Sequence, residues 1–496
     1  MSATLILTII IFYFSFLFAI SWYTARKADQ TAYFIGNRTS PWFAVAFGLI
    51  GDSLSGVTFV SVPGAVAATQ FSYMQIVFGY VLGYVVIAQV LLPLYYKMHL
   101  TSIYTYLGER LGMASQKTGS FYFIISRLIG AAFRLYISAM VLQLFIFNAW
   151  GISFEVTVSI IIILILLYTY KGGIKTLVWT DTMQSSFLML GVILSIVAIA
   201  NAMDLNFAGI VSTVRSSEYA RIFFWDWQEK NFFFKQFFSG ALIAIVMTGL
   251  DQNMMQKNLS IRTLPEAQKN IRWFSVVLVF INLFFVALGA LLFEYASVQQ
   301  IAIPERSDQL FPLLALEHLG MFAAVVFVLG ITAATFSSAD SVLTTLTTSF
   351  YIDILGKHTD DTHESGADRR TRHYIHIAFA VLLLIVIVVF NRINNDTVIN
   401  AVFTVAGYTY GPLLGLFAFG ILTKRNVPDK WVPLACILPP VICYFLNMYS
   451  VQWLNGYKFG YELLLVNGVI TFMCLYFLSL NQTGPHEREI PSEKNI

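Results

Sequence analysis

The sequence predicts an all-α polytopic membrane protein of about thirteen transmembrane helices, and three observations carry that prediction. Of its 496 residues 57% are hydrophobic and only 11% charged, whereas ordinary globular chains carry about a quarter charged residues. Apolar segments long enough to cross about 30 Å of hydrocarbon recur from one end to the other. The basic residues between them alternate in density from one connector to the next, as the positive-inside rule requires of a multi-pass chain.

The segments fall at residues 4–23, 42–65, 72–96, 119–149, 153–170, 177–200, 234–256, 273–297, 319–347, 374–391, 397–422, 430–448 and 460–480. The first lacks a basic leader and a small-residue cleavage site, so it reads as a retained span. With the N-terminus outside and the C-terminus cytoplasmic, the inner connectors hold Arg26 and Lys27, Lys171 and Lys175, Lys257, Arg262, Lys269 and Arg272, Arg369, Arg370 and Arg372, and Lys424, Arg425 and Lys430. The outer ones hold Arg215, Arg221, Lys230, Lys235, Arg306, Arg392 and Lys458, and Arg127 and Arg134 fall inside spans. An even number of crossings would scramble this asymmetry. The expected location is the plasma (inner) membrane.

Two connectors interrupt the pattern. Residues 201–233 carry Phe223, Phe224, Trp225, Trp227 and Phe232 and read as an interfacial helix on the outer surface. Residues 356–372 read as a flexible polar cytoplasmic loop, in which His358 and His363 are a solvated run rather than a metal site. The tail at 481–496 is expected to be disordered. Cys436, Cys443 and Cys474 lie in late apolar segments and read as buried small hydrophobes.

Spans two to six and seven to eleven form two sets of five. An odd number of crossings makes the second set enter from the opposite side, the inverted repeat typical of secondary transporters. The first member of each set carries helix-weakening or polar residues at depth: Gly48, Gly51, Asp52, Ser53, Ser55 and Gly56 in one, and Gly240, Thr248, Gly249 and Asp251 in the other. Broken helices expose carbonyls and amides to ions and solutes. The resulting division is an extra N-terminal span and linker (1–41), a first repeat (42–200), an outer connector (201–233), a second repeat (234–422), two further spans (423–480) and the tail (481–496).

The run Ala334-Thr335-Phe336-Ser337-Ser338-Ala339-Asp340-Ser341 sets Ala334, Ser337, Ser338 and Ser341 on one helix face, with Asp340 beside them. Small oxygen ligands and one negative charge at bilayer depth suit a bare monovalent cation. Asp52 adds field near the first break, and Asp251 reads as a cytoplasmic-gate or capping contact. Arg134, at the centre of its span, needs an anion, either Asp52 or another acid of the core, or a substrate carboxylate, whereas Arg127 is close enough to the inner end to snorkel. The polar residues Ser53, Ser55 and Thr58, with Phe59, Gln75 and Arg134, are the candidate substrate contacts.

Several stretches together resemble the sodium/solute symporter family, with its leucine-transporter-like core of two inverted five-helix repeats. They are Ala32-Tyr33-Phe34-Ile35-Gly36-Asn37-Arg38, Gly172-Gly173-Ile174-Lys175 leading to Trp179-Thr180-Asp181-Thr182-Met183-Gln184, Asp251-Gln252-Asn253-Met254-Met255-Gln256-Lys257, the Ala334–Ser341 run, and Tyr408-Thr409-Tyr410-Gly411-Pro412-Leu413-Leu414-Gly415. The resemblance implies a principal sodium site at the carbonyls of Gly51, Leu54 and Ala334 and the hydroxyls of Ser337 and Ser338. It also implies a second sodium at Asp181, Ser337, Asp340 and Ser341. Position 340 departs from the family's serine, so three readings of Asp181 and Asp340 stay open: a second sodium site, a proton-titrating pair, or a structural ion pair. The Ser53–Phe59 stretch resembles the sialic-acid branch, which also places an arginine in span four.

The expected function is sodium-coupled import of a small polar solute, such as a sugar acid, by alternating access. Its partners are the solute, sodium ions and the lipid bilayer, with no organic cofactor, no nucleic acid and a monomeric working unit. A proton-coupled symporter and a transporter-like membrane sensor are the alternatives. An intramembrane enzyme is disfavoured, because none of the seven histidines falls at the centre of a span.

Overall fold

The computed structural model describes residues 3–26, 30–145, 147–169, 173–357, 366–393, 398–457 and 459–480. His358, His363 and the tail lie outside the described residues. Among those described the architecture is all-helical, with one isolated bridge between Ser40 and Ile261 and no strand. Ten helices are long and apolar enough to cross a membrane, or eleven with one bent pair counted as a span. The thirteen crossings expected from sequence exceed this because the Trp42–Ser53 and Phe154–Thr169 helices are apolar but short, and because residues 58–97 run on as one stretch.

The helices that build the site are α1 (Ala3–Ala25), α2 (Trp42–Ser53), α3 (Gly56–Thr69), α4 (Tyr73–Val86), α5 (Met113–Phe145), α6 (Phe154–Thr169), α7 (Gly173–Ala202), α8 (Phe233–Ala244), α9 (Gln252–Leu259), α10 (Leu264–Val298), α11 (Gly320–Ser349), α12 (Gly366–Ile393) and α13 (Val398–Leu422). Both expected breaks are present. Between α2 and α3 the chain leaves helical geometry at Leu54 (ψ 79°) and Ser55 (ψ 178°). Between α8 and α9 it passes through a wide turn at Ile245–Gly249 and an extended Asp251, and the axis bends by 62°.

In lipid, helices gain little from apolar burial against each other and instead pack through small residues. A Cβ on Gly79 would strike the carbonyl of Phe237, and one on Gly240 the carbonyl of Ile76, so α4 and α8 meet backbone to backbone. A Cβ on Gly191 would lie 3.2 Å from Cα of Gly330, which brings α7 equally close to α11.

Several expectations are corrected. The outer connector does form a helix, Phe207–Ser216, but the aromatic stretch that suggested one is non-helical. There Phe224 turns inward and its N–H donates to Gln75 Oε1 at 3.2 Å. Lys257 does not reach a cytoplasmic connector, because the bend before α9 turns it into the interior, where it is 0% exposed. Helix α12 begins well before residue 374, so His376 is buried between Thr169 and Thr347, 3.0 Å from each hydroxyl. All three cysteines are free; Cys436 and Cys443 are buried and Cys474 partly so.

Candidate functional site

The α2/α3 break releases backbone acceptors at the centre of the molecule. Leu54 N–H still bonds Ile50, but no backbone amide reaches the carbonyls of Gly51 or Leu54 among the described residues. Facing them is α11, where Ala334 is fully buried and Ser337 is 1% exposed. Among the described residues the Ser337 hydroxyl has no hydrogen-bond partner, and neither has that of Ser185 on α7. A Cβ on Gly51 would lie 2.7 Å from Ser337 Oγ and collide with Ser185 Oγ, so only glycine admits this approach. Buried oxygens without donors are costly unless something electropositive satisfies them. The set fits a hard monovalent cation. The side chain of Ser338 lies outside the described residues. Ser185 was not a sequence candidate; its place one helical turn beyond Asp181 was the available signal.

The second expected set is differently arranged. Asp181 Oδ2 accepts from Ser341 Oγ at 3.2 Å and from Lys257 Nζ at 2.5 Å. Lys257 Nζ also bonds Asp52 and, at 2.8 Å, Ser341 Oγ. Asp340 sits apart from the ammonium: Tyr168 O–H donates to its Oδ2 at 2.8 Å and Ser341 N–H to its Oδ1 at 2.6 Å. An amine therefore stands among the oxygens expected to hold a second sodium, and Asp52 is its counter-ion rather than a free source of field.

Beside the α2/α3 break lies a cavity of about 100 Å³, against the roughly 10–15 Å³ that one water needs. Ser53, Ser55 and Thr58 line one wall, Arg134 and Arg127 another, and Tyr73, Tyr80, Thr248 and Asn282 much of the rest. Arg134 has a single acceptor, the Asp52 carbonyl at 3.3 Å, and no carboxylate partner among the described residues. Two sequence candidates lie elsewhere. Gln75 spends its amide on Asn231 O at 2.9 Å and on Phe224 N–H, and so ties down the connector. Phe59 points to the opposite side of α3, into a ring cluster with Phe285, Phe311 and Phe327.

Arg127, on the cavity wall, is held by a charged cluster. Arg127 Nε donates to Asp251 Oδ2 at 2.5 Å, and Tyr410 O–H donates to the same oxygen at 2.6 Å. Asp251 Oδ1 meanwhile accepts Met254 N–H at 3.2 Å and caps α9. The expected capping contact of Asp251 is thus present, with an ion pair to Arg127 beside it. Arg127 does not snorkel; it is 5% exposed and paired with Asp251.

Two broken helices meeting at mid-protein, orphaned oxygens around one glycine and a polar cavity alongside them define an ion-coupled membrane transporter. Residues 33–428 match the sodium:solute symporter family, and the chain belongs to it. It is 25% identical over 424 residues to the sodium/sialic acid symporter NanT of Aliivibrio fischeri, covering 83% of this chain and 82% of that one. Identity to the sodium/sialic acid symporter SiaT of Proteus mirabilis is 23% over 411 residues, 82% of either chain. A solved Na+-coupled sialic acid symporter, substrate-bound and outward-open, shares the fold with a TM-score of 0.81 at 19% identity, covering 96% of this chain and 97% of that one. This protein is therefore a multi-pass sodium-coupled solute symporter, a transporter and not an enzyme, and sodium is its coupling ion.

Proposed function

We propose that the protein imports an acidic sugar of the sialic acid type together with sodium. The observation that carries this reading is Arg134, a guanidinium lining the cavity with no carboxylate partner among the described residues. Arg134 is half-buried, and a charge partly withdrawn from water without a counter-ion is unfavourable, whereas a planar fork of donors holds a carboxylate bidentately. Ser53, Ser55 and Thr58 supply hydroxyls to the sugar side of such a solute. Both similar symporters, NanT and SiaT, carry sialic acid in their names.

Sodium binds the carbonyls of Gly51, Leu54 and Ala334 and the hydroxyls of Ser337 and Ser338 in this reading. Gly51 and Leu54 belong to the broken helix whose neighbouring residues line the cavity, so ion and solute bias one conformational equilibrium. Alternating access moves the α2–α4 and α8–α10 bundle against the remaining helices. The chain crosses the plasma membrane thirteen times with its N-terminus outside, its two repeats spanning 42–200 and 234–422, and works as a monomer. A thermal-shift screen of purified protein against acidic and neutral sugars, with and without sodium, tests the substrate. Sodium-dependent stabilisation by sialic acid supports the reading; stabilisation only by neutral solutes refutes it.

A further inference from the structure

Helix α9 carries Lys257 into the centre of the protein, and nothing in the transport cycle as described above uses it. An ammonium has three protons to donate and accepts none. All three are met here, by Asp52, by Asp181 Oδ2 at 2.5 Å and by Ser341 Oγ at 2.8 Å. The acceptors come from three helices, α2, α7 and α11. This is an oxygen cage around one positive charge, assembled from two of the residues, Asp181 and Ser341, expected to hold a second sodium. Asp340 takes no part in the cage: Tyr168 O–H and Ser341 N–H each donate to one of its oxygens, and among the described residues it makes no ion pair with Lys257. Asp52 and Asp181 each keep one oxygen, Oδ1, without a partner among the described residues. A cation bound there would share a buried cluster with the ammonium and be repelled by it.

We propose that Lys257 is a resident, covalently tethered cation. Its ammonium fills the second cation position, and the protein binds and couples one sodium, at the Gly51–Ser337 site. The inference rests on the sodium-coupled reading of that site. It also gives Asp181 a role: the carboxylate serves the lysine, not the transported ion. Lys257 and Asp52 belong to the moving bundle and Asp181 and Ser341 to the helices it moves against, so the tethered cation closes the seam that a second sodium would otherwise close.

Equilibrium binding of ²²Na⁺ to the purified full-length protein tests this without a known solute. The unsubstituted protein is expected to bind one sodium per chain with a Hill coefficient of one. Asp181→Asn is expected to retain that sodium with its affinity changed by less than about threefold. Lys257→Met, which removes the charge and keeps the length, is expected to bind a second sodium between the vacated carboxylates. Two sodium ions per chain in the unsubstituted protein overturn the proposal, as does a larger loss of sodium affinity in Asp181→Asn or a folded Lys257→Met that still binds only one. No sodium bound at all refutes the sodium site itself, and the inference with it. Should Lys257→Met fail to fold, the unsubstituted count and Asp181→Asn still decide.

Discussion

Tyr410→Phe tests whether the Arg127–Asp251–Tyr410 cluster beside the cavity acts as a lock on it, because it removes one hydroxyl and leaves the ring in place. In the conformation described here that hydroxyl donates to Asp251 Oδ2 at 2.6 Å, beside the Arg127 contact at 2.5 Å. Arg127 on α5, Asp251 at the α8/α9 break and Tyr410 on α13 come from three helices, two of which lie outside the proposed moving bundle. The proposed motion would separate them. A hydrogen bond to a charged group is worth about 1.5–3 kcal/mol, or roughly 10- to 150-fold in an equilibrium. If the bond exists only while the cavity is closed on the side of this cluster, Tyr410→Phe shifts the population toward the state open on that side by that factor. Asp251→Asn goes further and leaves Arg127 buried without a counter-ion, a loss of about 3–5 kcal/mol that threatens folding. The milder variant is therefore the informative one. The assay is labelling of a cysteine at Met247, which lines the cavity, by an impermeant reagent applied from either face of oriented vesicles, with Cys436, Cys443 and Cys474 replaced. Tyr410→Phe should raise labelling from the face nearest Asp251 at least tenfold relative to the other. An unchanged ratio would show that the lock is present in both states and does not gate the cavity.

Ser337→Ala removes a buried hydroxyl without a hydrogen-bond partner among the described residues, so sodium half-saturation of uptake should rise by about tenfold or more while the protein stays folded. Gly51→Ala places a methyl within 2.7 Å of Ser337 Oγ and should abolish sodium binding in a ²²Na⁺ assay; wild-type affinity would move the ion elsewhere. Gln75→Ala should speed proteolysis of the aromatic connector, which it anchors through Phe224 and Asn231, and leave solute affinity unchanged. A solute affinity that falls tenfold would return Gln75 to the binding site.

Much of this arrangement was legible in the sequence, because bilayer depth makes certain residues anomalous. Clustered glycines, hydroxyls and an acid in an apolar stretch marked both broken helices, and a guanidinium at the centre of a span marked Arg134. The run at 334–341 stood out as the candidate ion site for the same reason. What could not be read were pairings across the chain. Arg127 was expected to snorkel because its acceptor, Asp251, is 124 residues away. Lys257 was assigned to water because a straight helix would carry it there, and only the 62° bend before α9 turns it inward. Gln75 and Phe59 are near the right residues but on the wrong faces, a distinction that sequence proximity does not make. The aromatic connector had the composition of an interfacial helix, yet the Gln75 anchor and the burial of Phe224 hold it extended.

The central claim is that Arg134 receives the carboxylate of a solute carried by the sodium gradient, and uptake of radiolabelled sialic acid into proteoliposomes measures it most directly. An inward sodium gradient should drive accumulation, and dissipating it should stop accumulation. Arg134→Lys keeps the charge and loses the planar fork, so it should weaken the acidic sugar by about 10- to 150-fold while barely altering a neutral analogue. Accumulation that ignores the sodium gradient, or an Arg134→Lys protein that weakens acid and neutral analogue alike, would contradict the account and leave Arg134 as a structural contact of the Asp52 carbonyl.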